Sequence, residues 1–591
     1  MPTLPEFSAI PVGHLPVLRA LIDRLGIHDI LDRSLPKHAL SRVSDADCVV
    51  AMMLNILCGR VALFRMDGWL ARTDVELLLG EGRSADAFDD NRLSAALDHL
   101  DDLGTDRVLT EVVGAFLKQP GRETAYSVHQ DFTSISLYGE YADVSPTGPQ
   151  PLFGHSKDYR PDLKQLVFGL ALHGAAGVPL LCTTFDGNTA DAHANRDQLA
   201  RLAKLLPPED EVTIVADCKL VDPLTLGQVA AAGFHFVSLL PASYTLRADL
   251  VRAAWAENPD VSTWPVLGSH PGRLKADPAT LYRGRSVEAD FPTLLQPPLP
   301  EGTAGPRPLV ASRETLRFLL VHSDALAANF EARLSGRLSD ETRSVETVIA
   351  RLNRKPASSE HDARRAANKE IGRLELHSMQ LSAEAVVRPI KRPGRGRPRK
   401  EEQAPTETVW RVAATLTLDE AAVLHARQEA SCFPLVTDHL DTPGWTDVRI
   451  LAEYRHQGIV EGVTGFRWLK GPAAVAPMFL KTPSRMRALG LVMVLALMVR
   501  NYWQFTMRAA ARAAGEAHLH PFTKRPVTNL TAEMAMDHFA GVQALRLRTN
   551  DEWVRPPQKF TYTAEQVLRH LSIPASVFWT PPKEKIGGLR L

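Results

Sequence analysis

Between residues 125 and 240 the chain runs through five strand-like and two helix-like segments in a set order, and that order restricts the fold more than any other feature. "AYSVHQDFTSISLYG" alternates, is rich in strand formers and stops at Gly139. "PDLKQLVFGLALHGAAGVPLLCTTFDGNTAD" reads as strand, turn at Gly174–Gly177, strand. "NRDQLARLAKLL" has a helical pattern, and "EVTIVADCKL" is a short apolar run suited to a buried strand that ends in an acid. "PLTLGQVAAAG" is a second helix and "FHFVSLLP" a fifth strand. An opening hairpin followed by crossover helices predicts a mixed sheet with helices on its faces.

The flanks read differently. Residues 14–118 are helical in pattern, with Ser44 placed as an N-cap and Gly104 as a C-cap, and no strand is expected there. From 242 to 430 the regularity fails. Pro/Gly-rich loops alternate with a strand, "LRFLLVHS", a long charged helix over "DALAANFEARLSGRLSDETRSVETVIARLNRK", and a linker-like "VVRPIKRPGRGRPRKEEQAP". "TVWRVAATLTL" and "CFPLVTDHL" return to strand patterning. A chain of 591 residues is too long for one core. The expected division is a helical N-terminal domain (1–120), the first part of an α/β core (121–241), an insertion with a basic linker (242–430), the last part of the core (431–510) and a helical or irregular C-terminal region (511–591).

Lys+Arg and Asp+Glu both number 68, so net charge favours no partner, and a nucleic-acid binder would need local basic patches. The five cysteines form no C-x-x-C pair, which argues against a zinc module or disulfide framework and suits a reducing cytoplasm. No signal peptide is legible at the N-terminus. The most apolar run, Ala488 to Val499, is shorter than the roughly 20 residues a membrane span needs, and is expected to be a buried core helix.

Two acids occupy telling places. Asp131 lies within the first strand of the α/β region, and Asp217 ends "VTIVAD". Ligands collect at the carboxyl ends of strands in open α/β sheets, and a short rigid strand holds a carboxylate well. A lone acid at a strand end also serves as a cap or turn residue. Glu461 would be a third acid, arriving on a helix after the insertion. Three carboxylates suit a pair of hard cations, because phosphodiester cleavage needs both a nucleophile activated and a leaving oxygen stabilised.

The ordered stretches "HQDFTSISLYGEY", "GHSKDYRPDLKQLVFGLAL", "PLLCTTFDGNTADAHA", "VTIVADCKL", "GFHFVSLLP" and "YRHQGIVEGVTGFRWLKGP" resemble those of insertion-sequence DDE transposases, in the branch with a long insertion before the third acid and a Tyr-Arg-Glu-Lys signature. The resemblance implies an RNase H-like catalytic core and a helical leading domain for DNA-end recognition. It makes Asp131, Asp217 and Glu461 the catalytic, metal-binding triad for Mg²⁺ or Mn²⁺, with two ions. It also implies cleavage at transposon ends, strand transfer into double-stranded target DNA, a homodimer in the synaptic complex, no membrane partner and a place on the prokaryotic nucleoid. A non-mobile nuclease on the same core, or a DNA-binding regulator with a decayed site, remain the alternatives.

The signature is not kept throughout. Tyr454 precedes Glu461 by seven, as in the family, but the position three after Tyr454 is Gln457, with Arg455 nearby. Lys470 lies nine after Glu461 instead of seven. On an unbroken helix nine residues turn about 900° and put Lys470 opposite Glu461. The stretch Gly462–Gly465 would have to bulge or break for Lys470 to share a cleft with the acid. Glu453 is the rival third acid.

Candidate DNA contacts are Lys157, Arg160 and Lys164 in the loop before the second strand, and Tyr454, Arg455, Arg467, Trp468 and Lys470 around the third acid. Trp468, seven after Glu461, is placed to face the cleft and stack a base, or to pack in the core. "GRGRPRK" resembles an AT-hook, in which Arg395, Arg397, Arg399 and Lys400 would enter a narrow minor groove; otherwise it is a solvated basic linker. No phosphate-loop motif for ATP and no Gly-x-Ser-x-Gly occurs.

Overall fold

The computed structural model describes residues 6–37, 41–119, 122–137, 148–155, 159–271, 279–295, 309–390, 406–440, 443–462, 464–471, 482–549 and 552–582. The chain divides into two compact units. One comprises Met1–Ser238, Pro292–Glu314 and Ala452–Leu591; the other comprises Leu239–Phe291 and Thr315–Leu451.

The first unit is built on mixed strands with helices against them. The strand Ala125–Leu137 is central. Lys164–His173 lies antiparallel beside it and Pro179–Phe185 antiparallel beyond that, while Glu211–Ala216 and then His235–Leu239 follow in parallel on the other side. Strand alternation sorts the central strand's side chains. Gln130 and Phe132 face the helix Asp191–Leu205: Gln130 Nε2 donates to Asn195 Oδ1 at 2.8 Å, and Phe132 packs with Val167 and Ala194. His129, Asp131 and Thr133 therefore face the opposite side.

The leading helices form part of this same unit. Asp45–Leu54 opens with a reciprocal capping box between Ser44 and Asp47, and Asp90–Leu103 ends on Gly104 at φ 93°. Their apolar residues, including Val49, Met53, Leu97 and Leu100, are buried, and they pack against a 32-residue helix, Pro483–Ala514. The ion pairs Arg485–Asp98 (2.7 Å) and Arg487–Asp101 (2.6 Å) join the long helix to Asp90–Leu103. The long helix extends well beyond its apolar run. It is long and apolar enough to cross a membrane, yet Leu491, Val492, Leu495, Met498 and Trp503 are all buried inside the unit.

Three features depart from the sequence expectation. A strand, Phe7–Pro11, precedes the leading helices and pairs antiparallel with Gln543–Thr549, so the C-terminal region is not simply helical or irregular. The basic linker begins later than its composition suggests: His377–Pro389 pairs residue for residue with Thr406–Leu418 as a 13-residue antiparallel ladder in the second unit. The second unit also runs to Leu451, so the strand Cys432–Thr437, assigned by pattern to the core, falls within it, paired with Val310–Ser323. The charged helix over 324–354 forms as expected.

Candidate active site

Register brings the first two acids together. The central strand pairs Ala125 with Glu211 through His129 with Val215, a constant offset of 86 (211 − 125). Carried two residues further, that offset sets Asp131 beside Asp217 (131 + 86). Parallel strands in register point opposed side chains to the same face. Asp217 follows the last strand residue and caps the turn Cys218–Leu220, its Oδ1 accepting from Lys219 N at 3.0 Å. Its carbonyl accepts from the buried Ser238 hydroxyl at 2.7 Å, which fixes the strand end. The capping duty expected of a lone acid is thus real, and the same side chain also lines a cleft. Asp131 Oδ1 accepts from Phe132 N at 2.7 Å.

A cleft of about 370 Å³ is lined by Asp131, Phe132, Thr133, Asp217, Glu461, Phe466, Arg467 and Lys470. The three carboxylates thus share one cleft with two cations. Their ligand atoms do not all lie within 4.8 Å of one another. Tyr454 stands close by: burial, with the charges of Asp217 and Glu461, pushes its phenol up to about 12, so it is a neutral donor.

The third acid ends a short helix, Gly458–Glu461, and a new helix starts only at Phe466–Leu469. The helix does not run straight. At Gly465 a Cβ would strike the Val460 carbonyl oxygen, so only glycine permits the chain to double back this closely. The buried Asn501 on the long helix donates to Thr464 O at 2.8 Å and to Gly177 O at 2.6 Å, and Thr464 Oγ1 donates to Ile459 O at 2.6 Å. This break returns Lys470 to the Glu461 side. It also resets the phase after it: Phe466 and Lys470 line the cleft, and Trp468, for which the cleft was one of two places open, is not among the lining residues.

Glu453 belongs to a different constellation. Its Oε1 lies 2.9 Å from Nε2 of the fully buried His129, which Ser127 Oγ also approaches at 3.1 Å. Burial alone would raise the Glu453 carboxyl, but the hydrogen bonds from His129 and Ser127 hold it below its ordinary value. It does not line the cleft.

The remaining candidate DNA contacts are dispersed. Arg160 is half-buried and engaged with Asp162 at 2.7 Å, Lys164 opens the second strand, and Arg455 is exposed; none lines the cleft. Lys157, Arg395, Arg397, Arg399 and Lys400 lie outside the described residues. Phe132, Thr133 and Phe466 line the cleft unforeseen. Thr133 was accessible by alternation, being two residues from Asp131 on the same strand, whereas Phe466 depends on the break.

Residues 8–114 match a family model described as a domain of unknown function, DUF4277. The comparison with curated proteins gave no match. Among solved structures, the chain is similar to a piggyBac transposase synaptic complex with hairpin DNA, at 9% identity over 99% of this chain and 89% of that one, with a TM-score of 0.33. A superposition that loose does not establish a shared fold.

Proposed function

We propose that the chain is a DDE transposase with an RNase H-like core that cuts DNA at the ends of an insertion sequence and joins the freed 3′-OH to target DNA. The observation that carries this reading is the convergence of Asp131, Asp217 and Glu461 on one cleft from three separate parts of the sequence. The donor set fits Mg²⁺ or Mn²⁺: the cleft-lining residues offer carboxylates and no histidine or cysteine. Two such ions, held by these three acids, would supply water activation and neutralisation of charge on the scissile phosphate.

The chain's own residues do the rest. Arg467 is exposed at the cleft and Lys470 half-buried within it, so both are placed to meet non-bridging phosphate oxygens. In the first step a water oxygen bonds to phosphorus and the 3′ oxygen leaves with a proton. In the second, that 3′-OH oxygen bonds to a target phosphorus, and the target's own 3′ oxygen leaves with the proton the attacking hydroxyl gives up. Neither step needs a redox partner. The decayed-regulator alternative rested on the displaced lysine, and the broken helix removes that reason.

The test is a joining assay with DNA carrying the inverted repeats that flank the gene. Joined product with short target duplications supports transposition. Nicks without joined product support a nuclease on the same core. Synapsis of two ends calls for a homodimer, which sedimentation with end DNA would report.

A further inference from the structure

The strand that carries Asp131 carries a different chemistry two residues earlier. His129 is fully buried and lies on the Asp131 side of the strand by alternation. Glu453 and His456 are three residues apart at the end of the helix Asp447–His456, so both project from one helical face. The His456 ring packs edge-on to His129 with 5.1 Å between centroids. One ligand-competent atom from each of His129, Glu453 and His456 falls within 4.8 Å of the other two. Two imidazoles and a carboxylate are the wrong donors for Mg²⁺ and the right ones for zinc and its neighbours.

We infer that His129, Glu453 and His456 form a zinc-type cation site, separate from the three-carboxylate cleft, that clamps the helical turn ahead of Glu461 to the strand bearing Asp131. Donors around a tetrahedral zinc stand about 3.3 Å apart. His129 and Glu453 are already at 2.9 Å, and exposed His456 closes the set by side-chain rotation. The clamp joins residues 324 apart in sequence, and closing so long a loop carries an entropic cost that a bound cation would help offset. It holds two catalytic carboxylates at a fixed separation if the transposase reading is right, and it exists independently of that reading if it is wrong.

The test is zinc binding by the full chain, freed of metal by a chelator and titrated with zinc chloride while millimolar Mg²⁺ occupies the carboxylate cleft. Calorimetry should show one zinc per chain and a rise in Tm. His456→Ala, at an exposed position, should weaken zinc binding on the order of tenfold or more while leaving the metal-free Tm unchanged. Glu453→Gln should weaken it similarly. Asp131→Asn should bind zinc as the wild type does. No zinc uptake, or uptake unaffected by His456→Ala, overturns the site. Uptake lost in Asp131→Asn and kept in His456→Ala places the ion in the carboxylate cleft and also overturns it.

Discussion

Asp217 performs two duties with one carboxylate, capping the turn after its strand and facing the cleft. The duties separate by substitution. Asparagine caps almost as well as aspartate, so Asp217→Asn should leave the denaturation midpoint nearly unchanged while abolishing metal-dependent DNA cleavage. Asp217→Ala should lose the cap as well, at about 1 kcal/mol, read by urea denaturation. The position was legible because an apolar run ends in an acid, and Asp131 was legible from its strand. Their adjacency was not legible, since it depends on a register between strands separated by two other strands and a helix. The partner of Glu453 was hidden for the same reason: His129 lies 324 residues away, and no pattern near either residue announces the other.

At the scale of elements, the break between Gly458–Glu461 and Phe466–Leu469 sets which side chains reach the cleft. Two glycines and a displaced lysine were enough to pose the alternatives of a straight or a broken helix. Counting could not say which side chains face the cleft afterwards, because a break erases helical phase; hence Phe466 was missed and both places for Trp468 stayed open. Gly465→Ala forces a methyl group against the Val460 carbonyl. It should cost about 1–3 kcal/mol in chemical denaturation and lower cleavage by moving Lys470. Asn501→Ala removes the hydrogen bond that ties the break to the long helix at Thr464 and the one that ties the Gly177 turn to it, leaving both carbonyls short of a partner. A loss of about 1–3 kcal/mol is expected, with cleavage impaired while DNA binding is kept.

At the scale of the whole molecule, the two ends of the chain are tied together within the first unit. Beside the paired strands Phe7–Pro11 and Gln543–Thr549, the fully buried Asp74 accepts hydrogen bonds from Arg546 and Arg555, with Nε distances of 2.9 Å to each. This closure left no local trace in the sequence, since Arg546 and Asp74 are 472 residues apart. Burial alone would raise the Asp74 carboxyl, but Arg555 and Arg546 hold it below its ordinary value. Its contribution to stability is therefore complete above the unfolded carboxyl value of about 3.9 and is lost as pH falls through the lower folded value. Asp74→Asn leaves two half-buried guanidiniums with Glu76 as their remaining carboxylate partner and should cost about 1–3 kcal/mol at neutral pH. Denaturation midpoints across acidic pH should converge for wild type and variant as the wild-type carboxyl protonates.

The central claim is that three carboxylates from distant parts of the chain act as one metal-dependent cleavage site. Nicking of terminal-repeat DNA by Glu461→Gln, measured in Mg²⁺ and in Mn²⁺ beside gel-shift binding to the same DNA, tests it most directly. Wild-type nicking should be abolished by a chelator, and the variant should bind the DNA normally but not cut it. A Glu461→Gln protein that nicks at near wild-type rate would contradict it.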